Sequence, residues 1–193
     1  MPNTVGAGAC IGGASNRSAG SITISNAKLP PLNGTSLIGW IRGNTAGSLT
    51  IRNCYIESTD TAAGSGIQVS DNGNIRIENS EVKLPEKRDI RAGDGGSIVI
   101  RDSTIHSNGI YMLGNLNEAK NLKRLEITGS TVVTAGNVIG AMGSRASVDE
   151  IVIHGSSLSP AEGADHYYAI GGGEYASFGS IDIQGSQINI PLA

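Results

Sequence analysis

The sequence RDIRAGD, residues 88–94, holds the densest group of side chains that could do acid–base chemistry on a sugar polymer. A polysaccharide lyase needs a basic side chain to abstract a proton and several acids to hold Ca²⁺. A glycoside hydrolase needs two carboxylates at a defined separation. Asp89, Arg91 and Asp94 are candidates for either chemistry, but no second column of acids lines up with them. The pattern therefore favours binding over catalysis, with Gln68 and Arg91 as binding residues.

Aromatic residues gather near the end of the sequence, in SPAEGADHYYA (159–169) and GGGEYASFG (171–179). Flat rings beside carboxylates are what a sugar-binding surface needs. The candidate binding residues of this region are Asp165, His166, Tyr167, Tyr168, Glu174 and Tyr175. Alternatively, these aromatic residues cover the last unit of a repeat array, which must be shielded from solvent.

Several functional classes lack their characteristic residues in this sequence. We find no P-loop, no complete G-x-G-x-x-G after a strand and no G-x-S-x-G elbow. The three histidines and two cysteines do not have metal-ligand spacing, so we expect no metal and no cofactor. A formal net charge of −3 without a basic block argues against nucleic-acid binding. No apolar run reaches the roughly 18 residues of a membrane-spanning helix.

A repeated ten-residue pattern must position these side chains. GSITISNAKL (20–29) returns as GSLTIRNCYI, GNIRIENSEV and GSIVIRDSTI, and more loosely as KRLEITGSTV, DEIVIHGSSL and GSIDIQGSQI. The seven copies follow one another at intervals of 23 to 30 residues, a period typical of solenoids. Apolar residues at every second position predict strands rather than helices. The segment nearest to a helix is LNEAKNLKRL (116–125).

Each copy predicts two strands joined by a tight turn. The turn position holds only Asn, Asp or Gly, which tolerate the left-handed backbone conformation: Asn26, Asn53, Asn79, Asp102, Gly129, Gly155 and Gly185. A small residue follows and should point inward: Ala27, Cys54, Ser80, Ser103, Ser130, Ser156 and Ser186. We therefore interpret Cys54 as part of a buried column rather than as a redox group.

A third strand precedes each copy, in CIGG, LIGW, GIQV, DIRA, MLGN, VIGA and AIGG, with its central Ile or Leu pointing inward. The predicted outward columns are Gly12, Gly39, Gln68, Arg91, Gly114, Gly140 and Gly171, and Cys10, Leu37, Gly66, Asp89, Met112, Val138 and Ala169. Glycine in a strand often marks the close approach of a ligand or another backbone. This flat face is a candidate surface for a glycan, a protein partner or a second copy of the chain. Alternatively, glycine only eases the bend into the next turn.

Charged residues form two further outward series, Arg52, Glu78 and Arg101, and Glu57, Lys83 and His106. We interpret both as charge ladders that hold the register of neighbouring strands rather than as binding stripes. Each such pair contributes only tenths of a kcal/mol, roughly, to stability.

Three short strands per copy predict an all-β fold, a right-handed parallel β-helix of about seven coils that forms one domain over residues 1–193. GAGACIGGASNRSAGSITISNAKL and YYAIGGGEYASFGSIDIQGSQINI resemble the GAGIGGG…GxITIxGG repeats of bacterial surface and secreted β-helix proteins. The resemblance implies a bacterial or phage protein with an extracellular or cell-surface location, and it transfers no catalytic residues. MPNTVGAGAC shows no signal-peptide pattern, so we interpret the chain as part of a larger protein or as one secreted without a signal.

The leading hypothesis is a non-catalytic β-helix module that serves as a rigid scaffold and binds a glycan or a protein partner. A polysaccharide-active enzyme that uses Asp89, Arg91 and Asp94 is the first alternative. A purely structural spacer or adhesin stalk is the second.

Overall fold

The computed structural model describes residues 9–13, 20–32, 36–40, 47–59, 64–113, 119–136, 139–164, 170–172 and 175–189. The regular elements in these ranges are all strands. In chain order they are β1 (Ala9–Gly13), β2 (Ile22–Ser25), β3 (Ser36–Trp40), β4 (Leu49–Arg52), β5 (Tyr55–Glu57), β6 (Gly64–Gln68), β7 (Asn74–Glu78), β8 (Glu81–Lys83), β9 (Arg88–Ala92), β10 (Ser97–Arg101), β11 (Thr104–Ser107), β12 (Ile110–Leu113), β13 (Lys120–Thr128), β14 (Thr131–Thr134), β15 (Ile139–Met142), β16 (Ala146–His154), β17 (Ser157–Pro160), β18 (Ile170–Gly172), β19 (Ser177–Gln184) and β20 (Gln187–Ile188).

These strands form three parallel sheets that run the length of a solenoid. Sheet 1 has the order β1-β3-β6-β9-β12-β15-β18, sheet 2 the order β2-β4-β7-β10-β13-β16-β19, and sheet 3 the order β5-β8-β11-β14-β17-β20. A bridge between Lys28 and Tyr55 continues sheet 3 into the first repeat. We call each set of successive strands from the three sheets a coil, with β1 and β2 in coil 1 and β18 to β20 in coil 7. The predicted all-β solenoid fold is thus confirmed.

Columns of aliphatic side chains fill the interior of the solenoid. Sheet 1 contributes Ile38, Ile67, Ile90, Ile110, Ile139 and Ile170, each at most 1% exposed, in register on successive coils. Sheet 2 contributes the predicted apolar–x–apolar pairs, such as Ile98 and Ile100 on β10, which are fully buried. Because burial of apolar surface is the main favourable term in folding, these columns hold the coils together.

The turn between sheets 2 and 3 has the predicted left-handed backbone on every coil. The φ values are 54° at Asn26, 53° at Asn53, 46° at Asn79, 48° at Asp102, 59° at Gly129, 57° at Gly155 and 57° at Gly185. One residue in this conformation bends the chain sharply between two strands, which is why Asn, Asp and Gly alone occupy the position.

The small residues after this turn form the predicted buried column, and the serines among them form a hydrogen-bonded ladder. The backbone N–H of Ser80 donates to the hydroxyl of Ser103 on the next coil, at 3.1 Å. The Ser103 hydroxyl in turn donates to the carbonyl of Arg101, at 2.7 Å. Cys54 is 5% exposed and has the same place in coil 2, where its thiol donates to the carbonyl of Arg52 at 3.1 Å. Its interpretation as a structural residue is confirmed.

The prediction that sheet 1 presents an open, glycine-rich face is wrong. Gly39, Gly140 and Gly171 are buried, with φ values of 112°, 143° and 124°. A Cβ atom at Gly140 would lie 2.0 Å from the carbonyl oxygen of Gly171, and one at Gly39 would lie 1.7 Å from that of Gln68. The positive φ and the close approach of the next coil's backbone therefore require glycine at these positions.

Sheet 1 also departs from the predicted register in coils 3 and 5. Only two residues separate β11 from β12, so Ile110 fills the inward position that was assigned to Leu113. Tyr111 therefore takes the outward place predicted for Gly114, which lies outside the described residues, and Met112 is buried in the core. In coil 3 the register shifts between Ser65 and Ile67, so Asp89 pairs with Ser65 rather than with Gly66.

Leu37 was predicted to point outward, but it is fully buried in the hydrophobic core. Cys10, also predicted to face outward, is exposed. Val138 and Ala169 lie outside the described residues.

Candidate functional site

The two candidate binding residues of sheet 1 lie where β6 and β9 run side by side. Gln68 and Arg91 are partners in register, as the sequence indicated. Ser65, which the sequence did not single out, connects them, because its hydroxyl donates to Oε1 of Gln68 and accepts a hydrogen bond from Nη2 of Arg91. We call Ser65, Gln68 and Arg91 the Arg91 patch.

Two charged residues beside the patch are built into the wall of the solenoid. Arg88 is fully buried, and its Nη1 donates to the carbonyl of Ser65 at 3.3 Å. Asp89 is 6% exposed, and its Oδ1 accepts a hydrogen bond from Nδ2 of Asn108 at 3.0 Å. A carboxylate that is buried and hydrogen-bonded in this way holds the coil-to-coil connection in place.

Arg91 differs from these neighbours because it is the most exposed of the three. The side chain is half-buried, and its Nε atom is buried with no hydrogen-bond partner among the described residues. Its register partners on either side are Gln68 and Tyr111, and Tyr111 is only 2% exposed. A guanidinium held on a rigid sheet with unused N–H groups is suited to donate hydrogen bonds to a carboxylate or another anionic oxygen group.

Asp94 lies apart from the patch, in the turn between β9 and β10. Its carboxylate accepts the backbone N–H of Asn121 on the next coil at 2.7 Å, and its own N–H donates to Asp71 at 2.9 Å. The ammonium of Lys120 lies 3.3 Å from the same Asp71 carboxylate. In this turn, acidic and amide groups of successive coils therefore contact one another. The part of the chain that the structure describes contains no group of three or more metal-ligating side chains.

The aromatic candidates near the end of the sequence fall largely outside the described residues. Asp165, His166, Tyr167, Tyr168 and Glu174 are among those that the structure does not describe. Tyr175 is described: it is 76% exposed and has a φ of 60°. Phe178, on β19 at the end of sheet 2, is 40% exposed. Whether these rings form a sugar-binding surface or a cap stays a prediction.

Sequence reasoning missed an open groove along the corner where sheets 2 and 3 meet. It has a volume of about 800 Å³, extends over coils 1 to 4, and we call it the corner groove. The residues that line it are Asn26, Ala27, Lys28, Asn53, Cys54, Tyr55, Asn79, Ser80, Glu81, Asp102 and Thr104. The signal that could have revealed it is the change of the turn residue from Asn or Asp in coils 1 to 4 to Gly in coils 5 to 7.

One wall of the corner groove is the column of turn side chains. Nδ2 of Asn53 donates to Oδ1 of Asn26 at 2.9 Å. Asn79 and Asp102 continue the column, are exposed, and make no side-chain hydrogen bond to any described residue. This wall therefore offers an amide and a carboxylate with unused donors and acceptors.

The opposite wall is charged and centres on Tyr55. Nζ of Lys28 lies 5.2 Å and Nζ of Lys83 lies 5.3 Å from the centre of its ring, both within the range of cation–π attraction. The Tyr55 hydroxyl donates to Glu57 at 2.8 Å. This hydrogen bond raises the pKa of Tyr55 above its ordinary value, with smaller contributions from burial and from the charge of Glu57.

The predicted charge ladders form in part. Nη2 of Arg52 lies 2.9 Å from Glu78 as expected, but Arg101 pairs with Glu126, at 2.6 Å, instead of with Glu78. Burial raises the pKa of Glu126, but hydrogen bonds from Arg101 and Arg124 outweigh it and hold the pKa below its ordinary value.

In the second series, Glu57 and Lys83 are register partners, yet each binds a residue of its own strand. Lys83 pairs with Glu81 at 2.7 Å. That hydrogen bond raises the pKa of Lys83 above its ordinary value.

Comparison with known proteins gives one family. The model of the right-handed β-helix region matches residues 3–158. Neither a curated protein nor a solved structure matches the chain significantly. Among the described residues, no helix is long and apolar enough to cross a membrane.

Proposed function

Since the chain belongs to the right-handed β-helix family, we propose that it is a non-catalytic binding module of an exported bacterial or phage protein. In this proposal the solenoid is a rigid extracellular scaffold, and the Arg91 patch binds an acidic group of a glycan. A protein partner with an exposed carboxylate would meet the same chemistry.

The observation that carries the proposal is the state of the Arg91 guanidinium. It is a half-buried cation with a buried Nε that has no hydrogen-bond partner among the described residues. The one hydrogen bond from this guanidinium to a described residue runs from Nη2 to Ser65, so it keeps N–H donors for a ligand oxygen. Gln68 lies next to it in register, with an amide that can bind a sugar hydroxyl.

The acids near Arg91 support binding rather than catalysis. Asp89 is buried and accepts a hydrogen bond from Asn108, and Asp94 accepts the backbone N–H of Asn121. A general base must reach the proton that it abstracts, and a Ca²⁺ ligand must offer free oxygens. Both carboxylates instead serve contacts between coils.

The test is calorimetric titration of the wild type and of two variants with a linear oligouronate and with a neutral oligosaccharide of the same length. Arg91→Gln removes the cation and keeps a polar side chain. Lys87→Gln is the matched control, because it removes one positive charge from an exposed turn just before β9. We expect Arg91→Gln to weaken oligouronate binding by roughly ten- to a hundredfold, the value of a charge-assisted hydrogen bond, and Lys87→Gln to change it little.

Equal oligouronate affinity in the wild type and Arg91→Gln would exclude this site, and the absence of any oligouronate binding would favour the structural spacer. Chain cleavage, measured as new reducing ends or as unsaturated products, separates binding from catalysis. Cleavage by the wild type that is lost in Arg91→Gln would replace this proposal with a polysaccharide-active enzyme.

A further inference from the structure

We propose that the corner groove is a second binding site, for a linear neutral glycan that lies along the axis of the solenoid with about one sugar on each coil. This site is on a different part of the surface from the Arg91 patch and does not depend on it.

The turn column carries more side chains than its backbone conformation needs. The backbone needs a left-handed residue on every coil, and Gly129, Gly155 and Gly185 meet that need without a side chain. Glycine adopts this conformation more readily than Asn or Asp does. The side chains of Asn79 and Asp102 are therefore not required by the backbone, and neither makes a hydrogen bond to a described residue.

Sugar hydroxyls both donate and accept hydrogen bonds, and they match a column that offers amides and a carboxylate. Across the groove, Lys28, Glu81 and Thr104 add a donor and acceptors of the same kind. The floor, which includes Ala27 and Ser80, brings small side chains under the ligand and leaves it room.

The spacing of the coils favours a glycan over a peptide. Neighbouring strands lie about 4.8 Å apart, so the groups on the wall repeat at about that distance. An extended peptide repeats its side-chain orientation only every two residues, about 6.8 Å, and would fall out of step with the wall. An extended chain of β-linked pyranoses advances by close to one coil spacing for each sugar, so one ring with its hydroxyls lies beside the wall groups of each coil.

The charges in the groove favour a neutral glycan over an acidic one. The lining residues include one cation, Lys28, and two acids, Glu81 and Asp102. The ammonium of Lys28 lies over the Tyr55 ring, and the nearby Lys83 is paired with Glu81. A polyuronate would place its carboxylates beside Asp102, where like charges repel.

The experiment uses linear β-1,4-linked glucose and xylose oligomers of two to eight sugars, titrated into the whole chain. The double variant Asn79→Gly, Asp102→Gly removes both free side chains and keeps the left-handed turn, as glycine does in coils 5 to 7. Asn72→Gly is the matched control, since Asn72 has a φ of 58° in a turn outside the groove. Circular dichroism and thermal unfolding check that all variants fold.

We expect the wild type to bind with an affinity that rises with oligomer length and levels off near four sugars, because residues of four coils line the groove. The double variant should bind at least about tenfold more weakly, the value of two lost hydrogen bonds, while Asn72→Gly and Arg91→Gln bind as the wild type does.

Equal binding by the double variant and Asn72→Gly would overturn the inference. So would neutral-glycan binding that is lost in Arg91→Gln, because the ligand would then lie on the Arg91 patch. Binding of an extended peptide in place of every neutral oligosaccharide, lost in the double variant, would show that the groove takes a different class of ligand and would also overturn it.

Discussion

At the scale of single residues, the polar groups of this solenoid divide into those that hold coils together and those left for a ligand. The inward serines belong to the first kind, since each hydroxyl accepts a backbone N–H from one coil and donates to a carbonyl of its own. Asp89 and Asp94 belong there too. Arg91, Asn79 and Asp102 belong to the second kind. This division, more than residue type, decides which side chains are candidates for function.

The serine ladder leads to a stability prediction at Ser103. Ser103→Ala removes the partner of the buried Ser80 N–H, and an unsatisfied buried donor costs about 1–3 kcal/mol. We expect the free energy of unfolding, measured by urea denaturation, to fall by that amount. Ser103→Cys should cost less, because Cys54 occupies the same column in coil 2.

Thr104→Ala is the control for this prediction, since the Thr104 side chain is only half-buried, points outward and belongs to the wall of the corner groove. It should change stability by no more than about 0.5 kcal/mol. A loss for Ser103→Ala no larger than that of Thr104→Ala would mean that the ladder contributes nothing to stability.

At the scale of elements, the sequence predicted sheets 2 and 3 well because every copy repeats one apolar–x–apolar strand and one left-handed turn residue. The period of two and the turn position together determine register, as Ile98 and Asp102 illustrate. Sheet 1 was harder. In coil 5, Ile110, Met112 and Leu113 allow more than one inward assignment, and the two-residue turn before β12 decides between them.

The candidate sites show the same contrast. The contact between Gln68 and Arg91 followed from register, which the repeat provides. The places of Asp94 and of the corner groove depend on how turns fold and on where side chains find partners in the next coil. Residue spacing along one chain does not contain that information, and Ser65 enters the patch only through a shift of register in coil 3.

Substitution of glycine by alanine should lower the free energy of unfolding by different amounts on sheet 1 and in the turn between sheets 2 and 3. Gly140 has a φ of 143°, and a Cβ there would lie 2.0 Å from a backbone oxygen, so Gly140→Ala should cost more than about 3 kcal/mol or prevent folding. Gly155 has a φ of 57° with nothing within 4 Å of its Cβ position. Gly155→Ala should therefore cost only the left-handed penalty, about 1–2 kcal/mol. Thermal and urea unfolding of both variants measure the difference.

Gly155→Asn is the natural companion, because Asn occupies the same turn position in coils 1 to 3. It should cost less than Gly155→Ala. If Gly140→Ala were as stable as Gly155→Ala, the close approach between coils would not be what requires glycine on sheet 1.

At the scale of the whole molecule, each coil packs only against its neighbours, so stability is a sum of local terms along one axis. Exposure changes along that axis. Ile98 and Ile100 in coil 4 are fully buried, whereas Ile22 in coil 1 and Ile181 and Ile183 in coil 7 are only partly buried among the described residues. Coils with less buried interiors can therefore open locally while the well-buried coils stay closed.

Amide hydrogen exchange tests this picture. Backbone N–H groups of coils 3 to 6 should exchange more slowly than those of coils 1 and 7, because the inward Ile and Leu side chains of sheet 2 are at most 1% exposed in coils 3 to 6 and only partly buried in coil 7 and at Ile22 of coil 1. Ile100→Ala, which opens a cavity in coil 4 and costs about 2–5 kcal/mol, should speed exchange most in coils 3 to 5. Ile183→Ala in coil 7 should speed it in coils 6 and 7 alone. Uniform acceleration over all coils by either variant would contradict the nearest-neighbour picture, since it would mean that the solenoid unfolds as one cooperative unit.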